Sequence, residues 1–304
     1  MINTKLKGKY RIIVDRANGM QEDSGWFDNL ILNNGLNAIG INRTSGSYLY
    51  GWCSVGTGTN PPNVNQTWLQ NFLAIQAASG SPSATNSGAP NYFSTQTFTY
   101  NFSVGAVVGT ITEIGVGWAN STNTLFSRSL IPSPISLTVF DTLRVFYKIE
   151  IYPETTDSLG SLVLGSTNVN YTIRRVEINN FREGLAPSIF SGARGYLQPR
   201  SGMSLVSITS SPNGSPFSGT PIFSAPSTPV YTSDSYYLDK EFVLSTGTLS
   251  NISGLYYTSS GMTSTTAGSP DVRGGAYQII LSPAITKGSA QVLRFTIRTS
   301  WGRL

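Results

Sequence analysis

Residues 142–152 read TLRVFYKIEIY. Leu143, Val145, Tyr147, Ile149 and Ile151 recur at every second position, so an extended chain places them all on one face. A helix would scatter the same residues around its circumference. The reading as a strand extends to KYRIIVD (9–15), YLYGWCSVG (48–56), TFTYNFSVG (97–105) and TITEIGVGWA (110–119). Further along come VNYTIRRVEI (169–178), SYYLDKEFVLS (235–245), SNISGLYYTS (250–259), AYQIILS (276–282) and QVLRFTIRTSW (291–301). Gly, Pro, Ser and Asn clusters separate these runs, as turns require. The expected fold class is all-β, with one or two short helices, arranged as two antiparallel β-sandwich-like domains over residues 1–155 and 156–304.

Two stretches read as helices. Val64, Trp68, Leu69, Phe72 and Leu73 recur three to four residues apart, after Pro61-Pro62 and an Asn63-x-x-Gln66 spacing that matches a capping box. This predicts a helix near 64–76 with Trp68, Leu69 and Phe72 buried against a sheet. A second short helix is expected around NLILNNGLNAIG (29–40).

The chain also echoes itself. Gly109-Thr110-Ile111-Thr112-Glu113-Ile114 resembles Gly247-Thr248-Leu249-Ser250-Asn251-Ile252, and Phe102 has a counterpart in Phe242. Downstream, Ser133-Pro134 and Leu143-Arg144 match Ser282-Pro283 and Leu293-Arg294. Two related β-domains follow, with the seam in residues 152–168.

Composition narrows the function. Of 304 residues, 39% are hydrophobic and 11% aromatic, enough for a sizeable core, while only 12% are charged. Thr, Ser, Asn and Gly fill the difference, which suits short strands and many turns. The net charge of +5 is not concentrated as a nucleic-acid binder's would be. Its one local concentration is Lys5, Lys7, Lys9 and Arg11, at alternating positions of KLKGKYR. In a strand these share one face, read as a solvated or edge-protecting row, with an acidic partner surface as the alternative. No apolar run approaches the ~20 residues of a membrane helix, and the start of the sequence carries no signal-peptide pattern. Synthesis and folding in a cytoplasm are expected.

The chain has no histidine and one cysteine. That removes Ser-His and Cys-His nucleophiles, His-based zinc sites, internal disulfides and thiolate clusters. Cys53 reads as a small buried apolar residue. The densest acidic group is Glu22, Asp23 and Asp28 in GMQEDSGWFDN. A glycosidase needs two carboxylates with separated pKa values and calcium needs several oxygens; these three read instead as solvated loop residues. No cofactor is expected. Gly56-Thr57-Gly58 before the predicted helix invites a phosphate-loop reading, but the G-x-x-x-x-G-K-[ST] and G-x-G-x-x-G spacings are absent. The expectation is a strand exit with no ligand at Gly56 to Gly58. Tyr236, Tyr237, Tyr256 and Tyr257 are candidate stacking surfaces for a glycan or receptor, against the simpler reading as core or interface residues.

Four segments taken in order carry a resemblance: GWFDNLILNNGLNAIG (25–40), SVGTGTNPPNVNQTWLQ (54–70), FSVGAVVGTITEIGVGWANSTNTLFSRSLI (102–131) and ISLTVFDTLRVFYKIEI (135–151). Together they resemble a module of tailed-bacteriophage virion structural proteins associated with tails, necks or fibres, over about residues 10 to 152. The resemblance implies a non-enzymatic part of the particle that assembles with itself and with other virion proteins, and no catalytic residue transfers with it. The alternatives are a receptor- or carbohydrate-binding module used in host adsorption and a capsid decoration protein.

Overall fold

The computed structural model describes residues 1–41, 49–80, 83–86, 93–177, 194–200, 230–247, 250–260 and 276–304. The chain is mostly strand, and an all-β fold with several antiparallel sheets is what it forms. Its contacts divide it into two units. One comprises residues 5–85, 95–151 and 302–304; the other comprises residues 1–4, 86–94 and 152–301.

The first unit contains most of β1 (Ile2–Asp15), then β2 (Gln21–Asp28), β3 (Leu30–Ile31), helix α1 (Asn33–Ile41), β4 (Trp52–Gly56) and β5 (Phe72–Ala77). It continues through β6 (Ser83–Asn86), β7 (Ser94–Phe102), β8 (Gly109–Gly117), β9 (Leu125–Leu137) and β10 (Thr142–Pro153). One sheet runs β2-β1-β10-β7-β6 and the other β3-β9-β8-β4-β5. The alternation of β10 holds: Leu143, Val145, Tyr147, Ile149 and Ile151 are all buried. The two sheets face each other across aromatic rings. Tyr50 lies 4.7 Å from Phe126, 5.2 Å from Phe98 and 5.4 Å from Tyr147 between ring centres, and Tyr10 reaches across to the Ser127 hydroxyl at 2.9 Å. Ring pairs at these separations add to the burial of their own surface.

The second unit holds β11 (Ser158–Leu164), β12 (Thr167–Glu177), β13 (Arg194–Arg200), β14 (Tyr237–Leu244), β15 (Ser250–Ser260), β16 (Ala276–Lys287) and β17 (Leu293–Arg303, up to Trp301). A five-stranded sheet, β11-β12-β16-β15-β13, and the antiparallel pair β14–β17 share one apolar core. That core includes Ile173, Phe242, Leu255, Ile279 and Ile297.

Helix α1 falls within the second of the expected helical stretches, with Leu36 and Ile39 buried, while Leu30 and Ile31 pair with β9. The helix expected near 64–76 does not form. Its capping box closes a turn instead: Asn63 N–H donates to Gln66 Oε1 (2.8 Å) and Gln66 N–H to the Asn63 carbonyl (3.0 Å). A helix would need the amides of Gln70 and Asn71 for its own ladder, but both donate to the Glu113 carboxylate. Residues 72–77 then pair with β4 as a strand. Of the three residues expected to be buried, Leu69 is buried against Leu32 and Leu125, Trp68 is partly buried beside them, and Phe72 is 45% exposed. Leu69→Ala should therefore cost about 2 kcal/mol of unfolding free energy and Phe72→Ala much less, a contrast that urea denaturation of the two variants checks.

The sequence echo has a structural counterpart, displaced from the expected alignment. In β8–β9 the register jumps between Ile111↔Ile135 and Glu113↔Leu130. In β15–β16 it jumps between Ile252↔Ile285 and Gly254↔Ile280, skipping the same number of residues on each side. The following turns match as well. Thr138 N–H donates to Asp141 Oδ2 (2.8 Å), as Gly288 N–H does to Gln291 Oε1 (2.7 Å). Gly105 (φ 70°) and Gly247 (φ 88°), both in the left-handed region that favours glycine, donate their amides to the carbonyls of Asp141 and Ser289 in those turns. The register jumps equate Ile111 with Ile252, where the sequence echo equates Ile114 with Ile252. Residues 248–249 of the echo lie outside the described residues.

Candidate functional site

Two of the four segments quoted above, 54–70 and 102–131, meet at one point. β8 brings Glu113, β9 brings Arg128, and the loop between β4 and β5 wraps around both. Glu113 and Arg128 are fully buried, 2.8 Å apart. Glu113 Oε1 accepts the backbone N–H of Gly58 (3.0 Å) and Asn71 (2.7 Å), and Oε2 accepts Gln70 N–H (3.0 Å) and Arg128 Nε (2.8 Å). The guanidinium also donates to Gln66 Oε1 and to the Asn60 carbonyl, each at 3.0 Å. Thr112 Oγ1 donates to the Gly58 carbonyl (2.8 Å), and Asn60 N–H to Gln70 Oε1 (2.8 Å), so the loop is fastened along its length.

The glycine loop does cradle an anion, and that anion is a carboxylate of the same chain. A Cβ on Gly58 would stand 2.5 Å from Glu113 Oε1, so the close approach itself requires glycine. Burial alone would raise the Glu113 pKa, but the amides of Asn71 and Gln70 and the Arg128 guanidinium outweigh it and hold the carboxyl below its ordinary range. An ionised carboxylate with four donors and no exposure is a structural anchor and has no free lone pair for a substrate proton. Nearby on β4, Cys53 is buried and burial pushes its thiol well up, which keeps it protonated and unreactive.

Lys5, Lys7, Lys9 and Arg11 do share one face of β1, alternating with buried Leu6, Tyr10 and Ile12. Three of the four charges of that row are met within the unit. Lys7 pairs with Asp28 at 3.2 Å, Lys9 with Glu150 at 3.7 Å, and Arg11 with Asp23 through Nε at 3.0 and 3.1 Å. Lys5 makes no ion pair among the described residues. Arg16 holds Glu22 through two hydrogen bonds of 2.8 and 2.7 Å. The acidic cluster and the basic row are thus two sides of one exposed ladder. Guanidinium hydrogen bonds lower the pKa of both Glu22 and Asp23, the opposite of what a general acid needs.

Of the four tyrosines, the structure describes the side chains of Tyr236 and Tyr237, and both are engaged locally. Tyr236 (φ 53°) sits in a turn and donates its hydroxyl to Asp234 Oδ1 at 3.2 Å. One face of Tyr237 is covered by the Arg298 guanidinium, 3.8 Å from the ring centre, and Asp239 holds that guanidinium through two 2.7 Å hydrogen bonds. Tyr256 and Tyr257 lie on β15, opposite Gln278 and Tyr277, and their side chains are outside the described residues.

The Glu113–Arg128 pair had a signal in the sequence. Each is the lone charge in an otherwise apolar strand run, TITEIGVG and LFSRSLI, and the two are opposite in sign. Among the described residues no three acidic or cysteine side chains gather as a metal site requires, and no helix is long and apolar enough to cross a membrane. No family model, curated protein or solved structure matches the chain.

Proposed function

We propose that the chain is a non-enzymatic structural component of a tailed-bacteriophage particle: a tail, neck or fibre-attachment protein that assembles with copies of itself and docks on other virion proteins. The observation that carries this reading is the convergence of two of the phage-like segments on the Glu113–Arg128 anchor. Gly58 comes from the glycine-proline motif and Glu113 and Arg128 from the hairpin motif, and the polar groups of the two satisfy one another in a sealed cluster. Motifs of that kind specify a shape, which is what a particle component supplies. The low charge and the Thr, Ser, Asn and Tyr content favour the same role, since interface cores are poor in charge and rich in aromatic residues.

The test is composition of purified particles. Quantitative mass spectrometry of particles from a phage encoding this chain should find it at a fixed copy number per particle. Deleting its gene should give particles that lack a tail, neck or fibre element in electron micrographs. A chain absent from particles, whose deletion leaves them intact and infectious, overturns the proposal.

A further inference from the structure

We infer that β11 is a self-pairing edge, through which two copies of this chain join their five-stranded sheets across a two-fold axis at Ser161. β11 is the end strand of its sheet and pairs with β12 alone among the described strands. Every second residue of such a strand turns its N–H and C=O away from the neighbour it has, and a regular unpaired row of this kind is a template for another chain. The sequence of β11, SLGSLVL, has no charge and no proline. Its outward side chains Leu159 and Val163 are 74% and 67% exposed.

Among the other end strands, β3 and β6 are only two and four residues long, and β14 carries Asp239, Lys240 and Glu241. β13 carries Arg194, Pro199 and Arg200, and β2 carries Glu22, Asp23 and Asp28. β5 is uncharged, but Trp68 stacks on Phe72 at its start, and just past its end Ala78 bridges to Tyr100.

The occupant follows from the spacing. Antiparallel pairing centred on Ser161 sets Leu159 of each copy against Val163 of the other, twice, on the exposed face. On the opposite face it sets Leu162 beside Gly160, large against small. Such an isologous contact is complete with two copies and leaves nothing to extend into a fibre. Charge also permits it: the chain carries +5 overall, so self-association needs an uncharged strip. Asp157 at the foot of β11 is already bound to Arg174 at 2.8 and 2.6 Å. One seven-residue strand pair is small beside the ~1,200–2,000 Å² of a standard interface. The dimer should therefore be weak and concentration-dependent, forming where copies are held close together.

The inference rests on the reading of the chain as self-assembling, and the experiment separates the two. Sedimentation velocity over a concentration series should show a monomer–dimer equilibrium for the whole chain. The double substitution Leu159→Lys, Val163→Lys places like charges opposite each other twice and should weaken the dimer by more than about tenfold; both sites are exposed, so folding is not at stake. The Ser161→Cys variant should be captured as a dimer by a short bis-maleimide, the natural Cys53 being buried. Self-association that survives the double substitution, with no bis-maleimide capture of the Ser161→Cys variant, overturns the edge and leaves self-assembly standing. A chain that stays monomeric at every concentration overturns both.

Discussion

Glu113→Gln and Arg128→Met, made singly, should each lower the stability of the first unit by about 3–5 kcal/mol, the usual consequence of stranding one partner of a buried ion pair. The reasons differ. Arg128→Met leaves a fully buried carboxylate facing three backbone amides without its counter-charge. Glu113→Gln leaves the guanidinium unneutralised and turns an amide N–H₂ toward the donors of Gly58, Gln70 or Asn71. Combined, the two substitutions should cost less than the sum of the singles, because neither then strands a charge. Urea unfolding followed by tryptophan fluorescence reads this directly, since Trp26, Trp52, Trp68 and Trp118 all lie in the first unit. The acid response carries the sign. The folded-state pKa of Glu113 lies below its ordinary 4.5, so its contribution is complete above that value and is lost as the pH falls through the folded value. The Glu113→Gln variant should therefore lose less stability than the wild type on acidification. Single variants as stable as the wild type would remove the anchor role assigned to the cluster.

Lys240→Met is expected to act in the opposite direction and raise the stability of the second unit by about 3 kcal/mol at neutral pH. Lys240 lies on the inward face of β14, in line with Leu238, Phe242 and Leu244, and is 1% exposed. It has no hydrogen bond or ion pair among the described residues, and burial pulls its pKa from 10.5 to about 8. That distance corresponds to about 3 kcal/mol between the charged and neutral forms. Below pH 8 the folded chain carries an ammonium against its preference. Between about 8 and 10.5 the folded chain has released a proton that the unfolded chain still holds, so wild-type stability should rise with pH across that window. Methionine fills a similar volume without charge, so the variant should be more stable at pH 7 and lack the rise. A variant less stable than the wild type, with the rise intact, would show that another group titrates there.

What the sequence made legible was whatever depends on period two. The alternation of β10 and the shared face of Lys5, Lys7, Lys9 and Arg11 follow from the pleat alone, and both are present in the structure. The stretch 63–76 misled because helical spacing and a capping box are local signals. The competing partners of Gln70 and Asn71 lie on Glu113, more than forty residues away. The same distance hid the cradle: a phosphate-binding motif could be ruled out on spacing, but no local pattern shows that a carboxylate fills the role. Lys240 sits at an apolar position of the β14 alternation. There the pattern places it inside while its chemistry argues for the surface, and packing decided in favour of the pattern. The tyrosine candidates were not legible at all, because aromatic residues in strands face either way with equal ease.

The Glu113 cradle also sets an order in time. Arg128 is 15 residues from Glu113 and comes to it within a single hairpin, β8–β9, while Gly58 is 55 residues away and Gln70 is 43. Short loops close sooner than long ones. On sequence separation alone, the ion pair is expected to close on the hairpin before the 57–71 segment docks its amides on it. The glycine-proline loop is then expected to settle around chemistry already in place, a carboxylate whose charge the hairpin has balanced beforehand.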